Sequence, residues 1–188
     1  MRIGHLLLEN QSESARRVAT LVRALSRLGV EQHVLTGDQA LLLSLNQSLG
    51  ASERIKLGPR VRTPVMACCL MPDVDLAHVH DLKSGQAALL LALTRSIPYV
   101  ISQSAAPPVT ANAITRSIYN RSRCVVCRSE AERTRLRSVS PHALIELLAE
   151  SGDGIDGDSD AEGERTGLRY LRLYERMASG TGRTVRTL

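Results

Sequence analysis

Short apolar runs alternate with longer segments of helical periodicity along most of this chain. The first run, at residues 3–8, precedes a segment whose apolar residues recur every three or four positions, and the next run covers residues 32–36. Such alternation is typical of βα units, in which crossover helices join parallel strands. It predicts an α/β fold: a Rossmann-like, doubly wound, mostly parallel sheet in one domain, with a C-terminal helix packed back on it.

The same periodicity gives approximate bounds for the elements. Strands are expected at 3–8, 32–36, 54–57, 76–79, 99–102 and 124–127, and helices at 12–27, 38–49, 62–71, 84–95, 113–120, after Ser129 and at 168–177. Residues 143–148 fit a strand or a helix. Between residues 150 and 164 there are seven acids and no base. We therefore expect a Rossmann-like domain at 1–149, an acidic Gly/Asp-rich linker at 150–167, and a C-terminal helix and tail at 168–188.

The chain's 188 residues suit one domain, and its hydrophobic share of 43% argues against a disordered protein. Phe and Trp are absent, so Leu, Val, Ile and Ala must build the core. No apolar run approaches the ~18 residues of a membrane span. We expect a cytoplasmic protein that is soluble or peripheral.

Four cysteines occur as two close pairs, at 68–69 and 124–127. A secretory leader is not evident and the spacing is not that of a disulfide framework, so free thiols in a reducing compartment are expected. The C-x-x-C spacing at 124–127 falls within a strand rather than at a helix N-terminus, which favours buried structural thiols over a redox pair. Residues 68 and 69 are likewise expected in the core.

Ligands of doubly wound sheets bind outside the carboxyl ends of the strands. In this sequence the densest polar group at a strand end is Ala77-His78-Val79-His80-Asp81, in which the two histidines share one strand face. They are interpreted either as ligand contacts or as packed, hydrogen-bonded core residues. A metal site needs a third ligand of suitable spacing; none is evident among the remaining histidines, so no metal site is predicted.

Several segments in this order resemble the N-terminal domain of family-4 glycosyltransferases of the GT-B fold, over about residues 1–140. They are the strand end 78–81, the helix start Ser84-Gly85-Gln86-Ala87-Ala88-Leu89, the strand start Ile97-Pro98-Tyr99-Val100 and residues 124–133. The resemblance implies a domain that receives the sugar acceptor, whereas a second domain binds a nucleotide sugar, which is a donor substrate rather than a cofactor. The expected substrate-binding residues, at the strand ends of this domain, are Asn10, His78, His80, Asp81, Gln103, Ser104, Ser129 and Glu130.

The sequence also departs from the family pattern. The turn after the first strand has no Gly-Gly pair, and Gln103-Ser104 stands where the family often has His-Gly. No two Glu residues are separated by seven positions, as in the family's donor domain, and a Gly-rich, Lys-containing phosphate loop is missing. Residues 169–176 resemble the family's terminal helix. The expectation is a truncated or split enzyme without its donor domain.

Two functional hypotheses remain open. The first is a glycosyltransferase-like protein of polysaccharide or lipid-glycan biosynthesis, unable to transfer sugar alone and acting with a sugar or lipid-linked acceptor and a separate donor-domain chain. The second is a noncatalytic glycan-binding or scaffolding partner of a glycosyltransferase. The Arg-rich segment 116–137 is interpreted as a solvated face or as a contact with the inner face of the membrane. Nucleic acid is not expected as a partner, because aromatic residues do not accompany the basic ones.

Overall fold

In the computed structural model, which describes residues 1–9, 12–49, 53–102, 111–148 and 160–179, seven strands alternate with seven helices. The strands are β1 (Arg2–Leu7), β2 (Glu31–Thr36), β3 (Ile55–Leu57), β4 (Leu76–Val79), β5 (Tyr99–Ser102), β6 (Cys124–Cys127) and β7 (Ile145–Leu147). The helices are α1 (Ser12–Arg27), α2 (Gln39–Leu49), α3 (Pro64–Leu70), α4 (Leu82–Thr94), α5 (Ala113–Arg121), α6 (Glu130–Val139) and α7 (Asp160–Ala178).

All seven strands form one parallel sheet in the order β3-β2-β1-β4-β5-β6-β7. The chain moves outward in one direction from β1 to β3 and then returns to place β4 on the other side of β1. The point where the strand order reverses therefore lies between β1 and β4, where doubly wound sheets open a ligand crevice. The predicted Rossmann-like α/β fold is confirmed.

Each face of the sheet is covered by its own helices. On one face, α1 and α2 pack on the first three strands, while Leu173, Tyr174 and Met177 of α7 join α1 residues over the centre of the sheet. On the other face, residues of α4, α5 and α6 pack against alternate residues of β4, β5 and β6. Because both faces are covered, nearly all residues of β4, β5 and β6 are buried, as is usual in parallel strands.

Helix starts follow local capping chemistry. Ser129 accepts a hydrogen bond from the Glu132 amide at 3.2 Å and caps α6, as its sequence predicts. The Glu132 carboxylate accepts from the Arg128 amide at 2.8 Å, one residue before the capping position. At the other end of a helix, Gly29 follows α1 with φ of 84°, a conformation that glycine adopts without strain.

The structure corrects three expectations. Helix α3 begins at Pro64, because Thr63 caps it, and is therefore shorter than the expected 62–71. Helix α7 begins at Asp160, so residues 160–167, expected in the acidic linker, are helical; positions 150–159 lie outside the described residues. Cys69 is exposed rather than in the core, whereas Cys124 and Cys127 are buried free thiols.

Helix α7 lies directly on α1. At Gly167 an added Cβ would be 2.9 Å from the Ala24 Cβ, so the two helices approach closely only because residue 167 has no side chain. Within the described residues, no helix combines the length and apolar character needed to cross a membrane.

Candidate functional site

Polar side chains gather where the strand order reverses. The parallel register of β1 and β4 pairs His5 with His78, and His80 follows two positions later on the same face. Ser102 ends the neighbouring strand β5. The three histidines are 0–4% exposed, and Ser102 is partly buried. The register therefore builds a buried histidine cluster, defined as His5, His78 and His80, beneath the edge where a ligand would bind.

Asp81 closes the sheet edge above this cluster. Its carboxylate accepts hydrogen bonds from the Leu8 amide at 2.6 Å, the Glu9 amide at 3.3 Å, and the Ser84 amide and hydroxyl at 2.6 Å each. It thereby caps α4 and ties the turn after β1 to β4. Asp81 was predicted to bind substrate, but here it is 2% exposed and its contacts hold the backbone around the crevice.

A continuous chain of polar contacts crosses the cluster. The Tyr174 hydroxyl lies 2.5 Å from Nδ1 of His78, whose Nε2 lies 2.7 Å from the Ser102 hydroxyl. Ser102 lies 3.5 Å from Nδ1 of His80, whose Nε2 lies 3.1 Å from Nδ1 of His5. At the far end of this series of contacts, Nε2 of His5 lies 3.1 Å from Oε1 of Gln32, whose Nε2 donates to the Val22 carbonyl at 2.9 Å.

Burial keeps the three histidines and Tyr174 of this polar chain neutral. Desolvation lowers the pKa of His5 to about 4, against which its hydrogen bond to Gln32 acts weakly. Burial also holds the pKa values of His78 and His80 well below the usual range, and neighbouring histidines lower them further. The pKa of Tyr174 is raised well above its usual range, mainly by burial. At neutral pH each imidazole therefore carries one ring proton and Tyr174 keeps its hydroxyl proton.

Neutrality fixes the direction of the hydrogen bonds. The Val22 carbonyl can only accept, so the Gln32 oxygen faces His5 and must accept from its Nε2–H. His5 Nδ1 then has no proton and accepts from Nε2–H of His80. The assignment that gives every remaining ring nitrogen a partner runs from the Tyr174 hydroxyl to His78, from His78 to Ser102, and from Ser102 to His80.

The same arrangement has the composition of a metal site. One ring nitrogen from each of His5, His78 and His80 can be chosen so that all three lie within 4.8 Å of one another. The sequence interpretation found no suitable third histidine, and this was wrong about His5. His5 is far from His78 and His80 in the sequence, but β1 and β4 are neighbours in the sheet. The strand register therefore brings these histidines together, which their spacing along the chain does not show.

The other predicted site residues are dispersed. Ser129 caps α6, and Glu130 is exposed and pairs with Arg133 at 3.1 Å. Asn10, Gln103 and Ser104 lie outside the described residues. Substrate binding by the whole predicted set stays a prediction.

Sequence reasoning missed Gln32 and Tyr174, which complete the polar chain around the histidines. The signal available for Gln32 was its place as a buried polar residue in a predicted strand. Tyr174 offered none, since its meeting with His78 depends on how α7 docks.

Comparison with known proteins identifies the domain. The model of the family described as Glycosyltransferase Family 4 matches residues 14–147, which is more than half of the chain. This chain belongs to glycosyltransferase family 4. The match begins inside α1 and ends with β7, so it contains β4 and β5, whereas β1, which carries His5, precedes the matched residues. No curated protein matches the sequence.

A solved epimerase structure shares the fold of this family-4 domain. UDP-GlcNAc 2-epimerase from Neisseria meningitidis, bound to UDP-GlcNAc, is 15% identical with a TM-score of 0.52, covering 92% of this chain and 50% of the epimerase. An FMN-dependent UbiX-like decarboxylase from Escherichia coli O157:H7 is 11% identical with a TM-score of 0.46, covering 93% of this chain and 94% of that one. The family-4 chain thus spans half the length of the epimerase that it resembles.

Proposed function

We propose that this protein is the acceptor-side domain of a sugar-transfer system that assembles a polysaccharide or a lipid-linked glycan. A sugar hydroxyl of the acceptor would lie over the carboxyl ends of β1, β4 and β5. The observation that carries the proposal is the family-4 match over residues 14–147, which includes β4 and β5 at this edge of the sheet. The reversal of strand order between β1 and β4 supports the same location, since it opens a crevice there.

The residues around the crevice support binding of a neutral, hydroxyl-rich ligand. Ser102 is the partly buried member of the polar chain, between His78 and His80, and its hydroxyl is held by His78 at 2.7 Å. Its contact to His80 is long, at 3.5 Å, so a ligand oxygen could replace it at small energetic cost. The amides of Leu8 and Glu9 are already bonded to Asp81, which disfavours a phosphate at this turn.

We further propose that the nucleotide sugar binds to a second unit outside these 188 residues, in a separate chain or a longer polypeptide. The sequence has no pair of Glu at the spacing used by the family's donor domain. Transfer would bring the acceptor hydroxyl against the anomeric carbon, while electropositive groups of the second unit hold the leaving diphosphate.

A basic surface supports placement at the inner face of a membrane. Between Arg116 and Arg137 the chain carries seven Arg and two Glu, and Arg116, Arg121, Arg135 and Arg137 are exposed on or near α5 and α6. Such a surface would be attracted to anionic lipid, which suits a lipid-linked acceptor.

Saturation-transfer NMR on the full chain tests the binding role. The probes are UDP-GlcNAc, UDP-glucose, a set of neutral oligosaccharides and a short-chain polyprenyl diphosphate sugar. We expect transfer to the oligosaccharide or lipid-linked probes, reduced by Ser102→Ala and unchanged by Ser117→Ala on the exposed surface of α5. Strong transfer to the nucleotide sugars would contradict the acceptor-side assignment.

A noncatalytic scaffold is the second candidate, favoured by the absent donor motif. It predicts that no small probe gives a saturation-transfer signal, and that a glycosyltransferase co-purifies when the tagged chain is recovered from its own cells. That combination would replace the acceptor-binding proposal.

A further inference from the structure

We propose that His5, His78 and His80 form a binding site for one divalent transition-metal ion of the zinc class, with Gln32 and Tyr174 orienting the ligating rings. The proposal is independent of the sugar-binding role. It begins from the register of β1 and β4, which brings three imidazoles together on one face of the sheet.

The ligand chemistry selects the kind of ion. The group offers three imidazole nitrogens within 4.8 Å of one another and no carboxylate. Imidazole suits Zn²⁺, Co²⁺, Ni²⁺ and Cu²⁺, whereas Mg²⁺ and Ca²⁺ prefer oxygen ligands. Three histidines with a fourth position left open is also an established zinc arrangement.

The spacing of two ligand atoms is close to what an ion needs. Nδ1 of His5 and Nε2 of His80 are 3.1 Å apart. Neighbouring ligands around a tetrahedral zinc ion with bonds of about 2.0–2.1 Å are separated by roughly 3.3 Å. A small movement of the two rings would therefore let an ion replace the proton that now joins them. His80 would then carry its proton on Nδ1, facing the Ser102 hydroxyl.

The surroundings hold the rings as the outer shell of a metal site does. Oε1 of Gln32 accepts from Nε2 of His5 at 3.1 Å, and Gln32 is itself fixed to the Val22 carbonyl. The Tyr174 hydroxyl contacts Nδ1 of His78 at 2.5 Å, and Nε2 of the same ring now donates to Ser102. On metal binding the ring proton of His78 would move to Nδ1, where the Tyr174 oxygen accepts it, and Nε2 would become the ligating atom. Hydrogen bonds of this kind set the ring orientation of ligating histidines.

The fourth position of the metal site needs an anionic ligand, and the exposure of the histidines indicates the side from which it enters. Three neutral imidazoles do not offset a divalent ion, so an anionic fourth ligand, such as hydroxide or a carboxylate or phosphate oxygen, is required. His80 is the histidine nearest the sheet edge and is 4% exposed, whereas His5 and His78 are 0% exposed. The fourth ligand would therefore enter from the carboxyl ends of β4 and β5.

The test uses the full chain after treatment with a chelator, titrated with ZnCl₂ by calorimetry and with CoCl₂ by absorption spectroscopy. We expect one equivalent of each metal, a tetrahedral or five-coordinate cobalt spectrum, and no thiolate-to-cobalt charge-transfer band. Binding should be lost in His5→Gln and His80→Gln and kept in His142→Gln, which alters an exposed histidine. Absence of binding, binding that survives in His80→Gln, or a thiolate band would overturn the proposal.

Circular dichroism shows whether the histidine variants fold. Should they not, Tyr174→Phe decides, because it keeps all three ligands and removes one orienting hydroxyl. We expect its zinc affinity to fall by about 10–100-fold, while Tyr99→Phe, which removes a buried hydroxyl on the opposite face of the sheet, leaves it unchanged. Equal affinities in the two variants would contradict the proposal that Tyr174 orients His78 as a metal ligand.

Discussion

The hydroxyl of Tyr174 lies 2.5 Å from Nδ1 of His78, across 96 positions of sequence, and joins α7 to the centre of the sheet. Both side chains are 0% exposed, so neither can exchange this partner for water. The contact makes the docking of α7 depend on a specific hydrogen bond as well as on apolar burial. Tyr170 adds a ring contact with His78 at 5.3 Å between centroids.

Tyr174→Phe should therefore weaken α7 docking. Removing the hydroxyl leaves a buried ring nitrogen without its donor, at a cost of about 1–3 kcal/mol in the free energy of unfolding. Urea denaturation measures the loss, and hydrogen exchange locates it: the amides of 164–178 should exchange faster than in the wild type.

Tyr99→Phe provides the matched control for this variant. Tyr99 is also fully buried and donates to the Ile118 carbonyl at 2.6 Å, but it lies on the opposite face of the sheet. It should lose comparable stability without faster exchange in α7. Equal exchange in the two variants would show that the hydroxyl of Tyr174 does not hold the helix.

The sheet was predictable because its signal is local. Apolar runs such as 124–127 and capping residues such as Ser129 specify their elements within a few positions, and the observed bounds agree closely with the expected ones. Residues 160–167 were expected in a linker because of their Gly and acidic content, but they begin a helix whose Gly167 packs against Ala24 of α1. Packing of this kind stabilises helices that their composition alone does not predict.

The site was predictable only in part. His78, His80 and Asp81 were recognised because a polar group at the end of an apolar strand is visible in sequence. His5 and Gln32 join them because β1 pairs with β4 and with β2. The spacing of residues along the sequence does not show which strands pair. The close packing of α7 on α1 depends on Gly167, whose role appears only when the facing Ala24 is known.

The direction of the polar chain gives a spectroscopic prediction. His5, His78 and His80 should all be the Nε2–H tautomer in the metal-free protein, because the Val22 carbonyl fixes the direction from Gln32 onward. Long-range ¹H–¹⁵N correlation spectra of histidine-labelled protein distinguish the two tautomers. A Nδ1–H signal from His5 would show that Gln32 presents its amide nitrogen to the ring and that the direction is reversed.

Asp81→Ala should destabilise the protein more than an ordinary capping change. The substitution removes the cap of α4, and it also removes the carboxylate that the Leu8 and Glu9 amides share, although the Leu8 amide keeps its bond to the Ser84 hydroxyl oxygen at 2.8 Å. The two effects together should cost about 2–4 kcal/mol. Ser129→Ala, which removes the exposed cap of α6, should cost only about 1 kcal/mol. Chemical denaturation of both variants under the same conditions measures the difference, and similar losses would mean that Asp81 does no more than cap its helix.

The thiols should differ sharply in reactivity. Burial raises the pKa of Cys124 to about 12, and burial also raises the pKa of Cys127, so both stay protonated at mildly alkaline pH. Because the thiolate is the reactive form, iodoacetamide should modify the exposed Cys69 first and leave Cys124 unmodified until the protein unfolds. Peptide mass mapping after a short reaction checks this order. Labelling of Cys124 at the rate of Cys69 in the native protein would show that β6 opens readily to solvent.

Two glycines of α7 should respond to alanine in opposite directions. At Gly163 an added Cβ meets nothing within 4 Å. Gly163→Ala should therefore raise the free energy of unfolding by about 0.5–1 kcal/mol, because alanine favours a helix more than glycine does. At Gly167 the added Cβ would lie 2.9 Å from the Ala24 Cβ and 3.2 Å from Leu28 Cδ1, so Gly167→Ala must push α7 away from α1. That displacement should lower the free energy of unfolding by about 1–3 kcal/mol, which exceeds the gain from the higher helix propensity of alanine. Thermal or urea unfolding of the two variants compares them directly. A stabilising Gly167→Ala would mean that α7 does not rest on α1 at this distance, and the contact between Tyr174 and His78 would then need another source of support.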